Sequence, residues 1–289
     1  MEDFIEIDYK KIFNQIKQMD GAHQYAACLK FLDLIRPYLC KCTIISDEKY
    51  FFRVRAHLGQ GKPYFFYNIQ DLTYRTDFFN ISKFGRCNCP FESVFYCSDH
   101  PLLALAEVSR MIWKENKNRS AYFTTSIWRM NGNIHLTPLL ESNDDVNYNS
   151  ELYSITQNCM RIVEEMDGYK KKDELKEFHT IMGREFARPF QSDDNIYLFS
   201  AAVANYLLAA KNNESEKIDG LVYASCLDIS NIRRLGLNYA FDPMIVGDGR
   251  AIRFMGAFRS KLQRKKDGIY ETDQHYCKQI CDHTGELQW

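Results

Sequence analysis

The chain has 289 residues, 45% of them apolar and 26% charged, with 37 basic against 38 acidic side chains and a formal net charge of −1. These are the proportions of a globular protein with one large domain or two modest ones. The near-neutral balance lacks the overall basic bias of a nucleic-acid binder, leaving room only for a local basic patch, and no run approaches the roughly 18 apolar residues that cross a bilayer.

The N-terminal string MEDFIEIDYKK has neither the basic start nor the apolar stretch of a secretion signal, so a cytoplasmic location is expected. In that compartment the ten cysteines read as free thiols rather than as a disulfide framework. Cys40/Cys42 and Cys87/Cys89 are C-x-C pairs, and Cys277, Cys281 and His283 cluster near the end. Zinc sites more often use C-x₂₋₄-C with a second matched pair, so no metal is expected.

Taken in chain order, Phe4, Ile5, Ile12, Phe13 and Ile16 stand at helical spacing. A second helix is expected from Ala22 to Arg36, stopping at Pro37. Lys49–Arg55 reads as a strand and Tyr64–Tyr67 as another. Phe84-Gly85-Arg86-Cys87-Asn88 is a loop signal. Ser93–Cys97 reads as a buried strand, followed by a helix that Ser98 or Asp99 can cap with Pro101 in its first turn. Glu107 lies inside that helix, flanked at i−4 and i+4 by Leu103 and Met111. Residues 120–130 and 133–139 flank Asn131-Gly132 and read as a hairpin. Helices are expected over 150–166 and 194–211. Strands are expected over 219–224, 238–241 and 251–258, then a charged tail from Lys261.

No Rossmann, P-loop or serine-hydrolase motif is present. The strings FFRVR (51–55), FGRCN (84–88), VFYCSDHPLLALAEV (94–108), DGLVYAS (219–225) and LNYAFDP (237–243), taken together and in this order, resemble the RES domain family. That family is named for an Arg, a Glu and a Ser, which match Arg53, Glu107 and Ser225. The loop departs from the family pattern after Asn88, where Cys89-Pro90-Phe91-Glu92 stands in place of the usual glycine.

The resemblance implies an α+β fold. A mixed β core like that of ADP-ribosyltransferases would carry an α-helical N-terminal extension and a helical and hairpin insertion. The implied organisation is an extension over 1–45, the RES domain over 46–260 with its insertion at about 115–215, and the tail over 261–289. It also implies NAD⁺ as substrate, cleaved at the nicotinamide–ribose bond by phosphorolysis or hydrolysis in the manner of a toxin. Inorganic phosphate would be co-substrate in the first case. Protein ADP-ribosylation and a non-catalytic NAD-binding module are the alternatives. The implied partners are an Xre-like antitoxin and a second copy of the chain, with no membrane and no direct nucleic-acid contact.

In that reading Glu107 places negative charge beside the oxocarbenium-like transition state. Arg53 and Arg86 contact phosphate through planar guanidinium groups, and Gly85 lets the backbone approach. Tyr96 stacks on nicotinamide, Ser225 bonds the ribose or the amide, and Asn238 matches a family Asn near the site. Arg55 replaces Arg53 as anchor if the register slips by two, because that slip keeps the same strand face.

Overall fold

A computed structural model describes residues 8–35, 42–44, 49–57, 66–115, 120–140, 172–189, 196–209, 217–227, 235–247, 250–265, 268–281 and 284–289, with a few isolated positions between 154 and 165. The protein is a mixed α+β structure with a large, mostly antiparallel sheet. The chain divides into two compact units, each built from three separated segments. Unit one comprises 1–42, 77–92 and 135–226, and unit two comprises 43–76, 93–134 and 227–289. The short strand β1 (Cys42–Ile44) lies at the boundary.

Unit one is mainly helical. α1 (Tyr9–Lys17) is capped by Asp8, whose side chain accepts from the Lys11 N–H. α2 (Gly21–Ile35) follows. Phe4 and Ile5 of the expected first helix lie outside the described residues; together the two helices bury Phe13, Ile16, Cys28, Phe31 and Leu32. They pack around α5 (Leu198–Ala209), which is apolar on all sides and buries every residue from Leu198 to Ala204. A helix of that composition belongs inside a core. Phe13 meets Phe199 edge-on at 4.8 Å. α4 (Lys172–Phe186) precedes it in the chain. The expected 150–166 helix lies outside the described residues except at isolated positions.

Strands β5 (Ile134–Leu139) and β6 (Gly220–Tyr223) pair in parallel in this unit. All four residues of β6 are buried, as a continuous apolar run in a parallel pair should be. Asp219 fixes the start of the pair. Its carboxylate accepts from the His135 N–H at 2.9 Å while its own N–H donates to the His135 carbonyl at 2.8 Å.

Unit two is an antiparallel sheet in the order β7-β3-β2-β4-β8-β9, with one helix on it. Its strands are β2 (Tyr50–Ala56), β3 (Phe95–Ser98), β4 (Ser120–Met130), β7 (Asn238–Phe241), β8 (Ile252–Lys265) and β9 (Gly268–Tyr276). β8 therefore runs seven residues beyond the expected strand end and continues into β9, where the sequence suggested only a charged tail.

The hairpin expected around Asn131-Gly132 does not form. β4 is hydrogen-bonded to β2 on one side and β8 on the other. Neither edge is left for the strand that follows, and β5 finds β6 instead. The turn dipeptide is real, with Gly132 at φ +113, but it redirects the chain rather than pairing its flanks. Likewise, Phe66 and Tyr67 are not in a strand; only Asn68 makes an isolated bridge, to Glu286.

Helix α3 (Pro101–Glu115) lies on one face of the unit-two sheet. Ala104 and Ile112 bury against Val54 of β2, Phe123 of β4 and Leu262 of β8. The opposite face holds Trp128, fully buried, with Phe95 and Phe254 edge-on at 5.0 and 5.2 Å. Its indole N–H donates to Ser126 Oγ at 2.8 Å.

The turn between β3 and α3 is clamped to the start of β7. Asp99 accepts from the Leu237 N–H at 2.7 Å and from the Tyr239 hydroxyl at 3.1 Å, with Lys49 Nζ 3.7 Å away. A Cβ added at Gly236 would come within 2.1 Å of Asp99 Oδ1, so the clamp closes only over a residue with no side chain. Gly236→Ala should therefore cost about 2 kcal/mol, the scale of a forced overpacking. An unchanged denaturation midpoint for that variant would refute the clamp.

Candidate functional site

The residues singled out by sequence fall into three groups. The first forms on the α3 side of the unit-two sheet. Phe52 pairs with Ser98 and Ser98 with Asn238. The face that turns Val54 towards α3 thus also carries Tyr96 and Ser98 of β3 and Asn238 of β7, because side chains alternate along a strand.

Asn238 Nδ2 donates to Glu107 Oε1 at 2.7 Å, and Ser98 Oγ donates to Asn238 Oδ1 at 2.5 Å. Ser98 and Asn238 are 2% and 6% exposed, while Glu107 and Tyr96 are half-buried. The relay is directional. Ser98 gives its hydrogen to the amide oxygen, which turns the amide N–H towards the carboxylate. Glu107 is held as an acceptor at the edge of solvent by a group that cannot itself take a proton.

Ser98 is the member that sequence reasoning missed. The sequence offers it as a helix cap, and its hydroxyl instead serves Asn238. The signal available in the sequence was its two-residue spacing from Tyr96, which puts both on one strand face.

The second group is Arg53 with the register alternative Arg55. Both sit on the opposite face of the sheet from Glu107. Arg53 is 9% exposed, lies over the Phe95 ring at 5.2 Å, and donates from Nη1 to the Tyr96 carbonyl at 2.9 Å. Burial, and next the like charge of Arg55, lower its guanidinium pKa to about 10. Arg55 lies over Phe66 at 4.8 Å and donates to the Asp71 carbonyl. The sheet thus separates both arginines from Glu107, and the two-residue slip leaves them on that same face.

The third group belongs to unit one. Gly85 N–H donates to the Asn88 carbonyl at 2.9 Å, which closes the GRCN loop as a tight turn. Arg86 donates to the carbonyls of Phe186 and Arg188 and, at 3.2 Å, to the Tyr197 hydroxyl, with its guanidinium 4.8 Å from the Tyr197 ring. It therefore satisfies carbonyls that the end of α4 leaves open. Ser225 is fully buried just beyond β6.

The residues that follow Asn88 have a structural use here. Glu92 accepts from the Cys89 N–H at 3.3 Å and from Asn205 Nδ2 at 2.7 Å, while Cys89 Sγ lies 3.5 Å from the Tyr25 hydroxyl. Cys89 and Glu92 thus tie the loop to α2 and α5. Burial raises the Cys89 thiol pKa.

Among the described residues no group of three or more His, Cys, Asp or Glu side chains is arranged to hold a metal ion. His283 lies outside them. No described helix is long and apolar enough to cross a membrane. Comparison with protein-family models, with curated proteins and with solved structures found no match.

Two outcomes follow from these placements. Arg86→Ala leaves two carbonyls without their charged donor and should cost about 2 kcal/mol, read by chemical denaturation; an unchanged stability would sink the α4-capping role. His57 gives a pH test. Burial first, then Arg259 and Arg55, depress its pKa to about 4 from the usual 6.5. Between those values the unfolded chain takes up a proton that the folded chain refuses, so stability falls as pH drops from about 6.5 towards 4. His57→Gln should remove part of that fall, and identical pH–stability curves for the two proteins would contradict the assignment.

Proposed function

We propose that this chain is an NAD⁺-consuming enzyme that breaks the nicotinamide–ribose bond, with Glu107 as its catalytic residue. What carries the reading is the convergence of Tyr96, Glu107 and Asn238 on one face of the sheet. Asn238 is 131 residues from Glu107 in sequence, and the resemblance to the RES family selects all three without reference to the fold. The relay from Ser98 through Asn238 to Glu107 supports it further.

The chemistry suits these groups. As the C–N bond breaks, its electron pair leaves with nicotinamide, which departs neutral and needs no acid. Positive charge develops on the ribose ring, and a fixed carboxylate beside it lowers the barrier. Attack by water at the anomeric carbon gives ADP-ribose and a proton, whereas attack by phosphate gives the ADP-ribose phosphate ester. Asn238 and Ser98 act as positioning residues, holding Glu107 in one orientation before the reaction and so avoiding reorganisation during it. Tyr96, half-buried on the same face, supplies a ring for nicotinamide to stack on.

On this proposal the fold is of the ADP-ribosyltransferase-like kind and the biological role is that of a cytoplasmic toxin held by an Xre-like antitoxin.

The decisive measurement is nicotinamide release from NAD⁺ by the full chain, with and without inorganic phosphate. Glu107→Gln should lower kcat at least about 100-fold, the scale of losing one preorganised electrostatic group. Asn238→Ala and Ser98→Ala should lower kcat by smaller factors with KM little changed, and Ser98→Thr should restore most of the loss. A stimulation by phosphate identifies phosphorolysis. Absence of turnover in both conditions, or full activity in folded Glu107→Gln, would overturn the proposal.

A further inference from the structure

The core beneath α3 is built on Val54 of β2, Phe123 of β4 and Leu262 of β8. On the same face the strands run on past that core to a cross-strand row in which Tyr50 pairs with Arg129 and Arg129 with Arg253. The row next to it is Phe52, Ile127 and Gly256. Alternation along β2 and β4 puts both rows on the side of Val54 and Phe123.

Two guanidinium groups are therefore rooted directly opposite each other. Paired residues of antiparallel strands have Cβ atoms about 5 Å apart, and like charges in that position destabilise a sheet. Among the described residues neither Arg129 nor Arg253 makes a side-chain hydrogen bond or an ion pair, and Arg129 Nε is buried with no partner. Arg53 and Arg86 differ in this respect, because carbonyls take up their donors.

The same end of the face is open. Tyr50 is 42% exposed and Arg253 is exposed, while Phe52, Ile127 and Arg129 are half-buried. A Cβ built at Gly256 would meet no atom within 4 Å, so there is free space above that residue. A glycine inside a strand weakens it, and is commonly found where another chain or ligand comes close. Small molecules are held in concave pockets. A sheet face that presents arginine, tyrosine and half-buried apolar side chains has instead the composition of a protein interface.

We propose that this patch docks an acidic segment of a partner protein, with a carboxylate bridging Arg129 and Arg253 and a neighbouring apolar side chain resting over Gly256 against Phe52 and Ile127. A carboxylate between the guanidinium groups turns a repulsive cross-strand pair into an attractive triad with charge-assisted bonds to both sides. The chain's net charge of −1 gives no long-range attraction for a polyanion such as RNA, so one local pair of cations favours a short acidic segment. The inference does not rest on the reading of Glu107 as a catalytic residue, since neither arginine takes part in that reaction.

The test is fluorescence anisotropy of a labelled pentapeptide of alternating glutamate and leucine, titrated with the full chain. The comparison probes are its lysine–leucine counterpart, free glutarate and a short oligouridylate. The acidic peptide should bind saturably and lose affinity as salt is raised, and the basic peptide should not bind. Arg129→Gln and Arg253→Gln should each weaken the acidic peptide at least about tenfold, the scale of a lost charge-assisted bond, and Arg253→Lys less. Gly256→Leu fills the space above the sheet and should also weaken it. In the free protein Arg253→Glu should raise the denaturation midpoint, because an opposite-charge pair replaces a like-charge one. The proposal is overturned if the acidic peptide does not bind, if the basic one binds as well, or if binding is indifferent to salt or to the substitutions at Arg129, Arg253 and Gly256. An unchanged or lower midpoint for Arg253→Glu also overturns it, by showing that the pair is already compensated. Glutarate binding as tightly as the peptide would overturn it in favour of a small-molecule site, and tighter binding of oligouridylate in favour of nucleic acid. Circular dichroism identifies any variant that has not folded, and the salt dependence and the peptide comparison stand on the wild-type protein alone. Turnover of NAD⁺, whether present or absent, leaves these outcomes untouched.

Discussion

The carboxylate of Asp99 is the constraint on which the α3 side of unit two depends. It joins the turn after β3 to the backbone of Leu237 and the hydroxyl of Tyr239, two points of β7 and its approach. With those fixed, Ser98 and Asn238 face each other across paired strands, and Asn238 meets Glu107 on the helix that the same turn launches. A half-buried carboxylate with several donors is costly to disturb, because a donor removed leaves charge with less compensation. Gly236 is where the close approach is permitted, by lacking a side chain rather than by an unusual backbone angle.

The sheet that carries this arrangement has two chemically unlike faces. The α3 side has an apolar patch beneath the helix and a short polar relay at one end. The other side has an aromatic cluster around Trp128 and, beyond it, arginines alternating with hydroxyl residues across strands. FFRVR supplies both, since Phe52 and Val54 go one way and Phe51, Arg53 and Arg55 the other. The two sides meet different requirements. Glu107 has a fixed donor and stays half-buried, whereas the arginines lie against aromatic rings and carbonyls, and desolvation lowers the pKa of both Arg53 and Arg259.

Unit one shows how a loop motif acquires a structural use. Arg86 is as well suited to phosphate as Arg53 by residue type, yet its donors are spent on the carbonyls after α4 and on Tyr197. Cys89 and Glu92 give the loop its own ties to two helices. A guanidinium has five donors and will satisfy whatever acceptors the fold brings near.

The sequence by itself determined the element types wherever periodicity was strong. α2, α3, the apolar α5 and the four-residue strand 238–241 follow from spacing and composition, and Glu107 was readable inside a helix after a short strand. It could not decide the partners of strands. The Asn131-Gly132 turn predicts a hairpin locally, but β4 has both edges taken by β2 and β8, and pairing depends on segments far away in the chain. Nor could it show that Ser98 serves Asn238 or that Arg53 and Glu107 lie on opposite faces. Alternation along one strand says which residues share a face, while only the packing of α3 says which face is which.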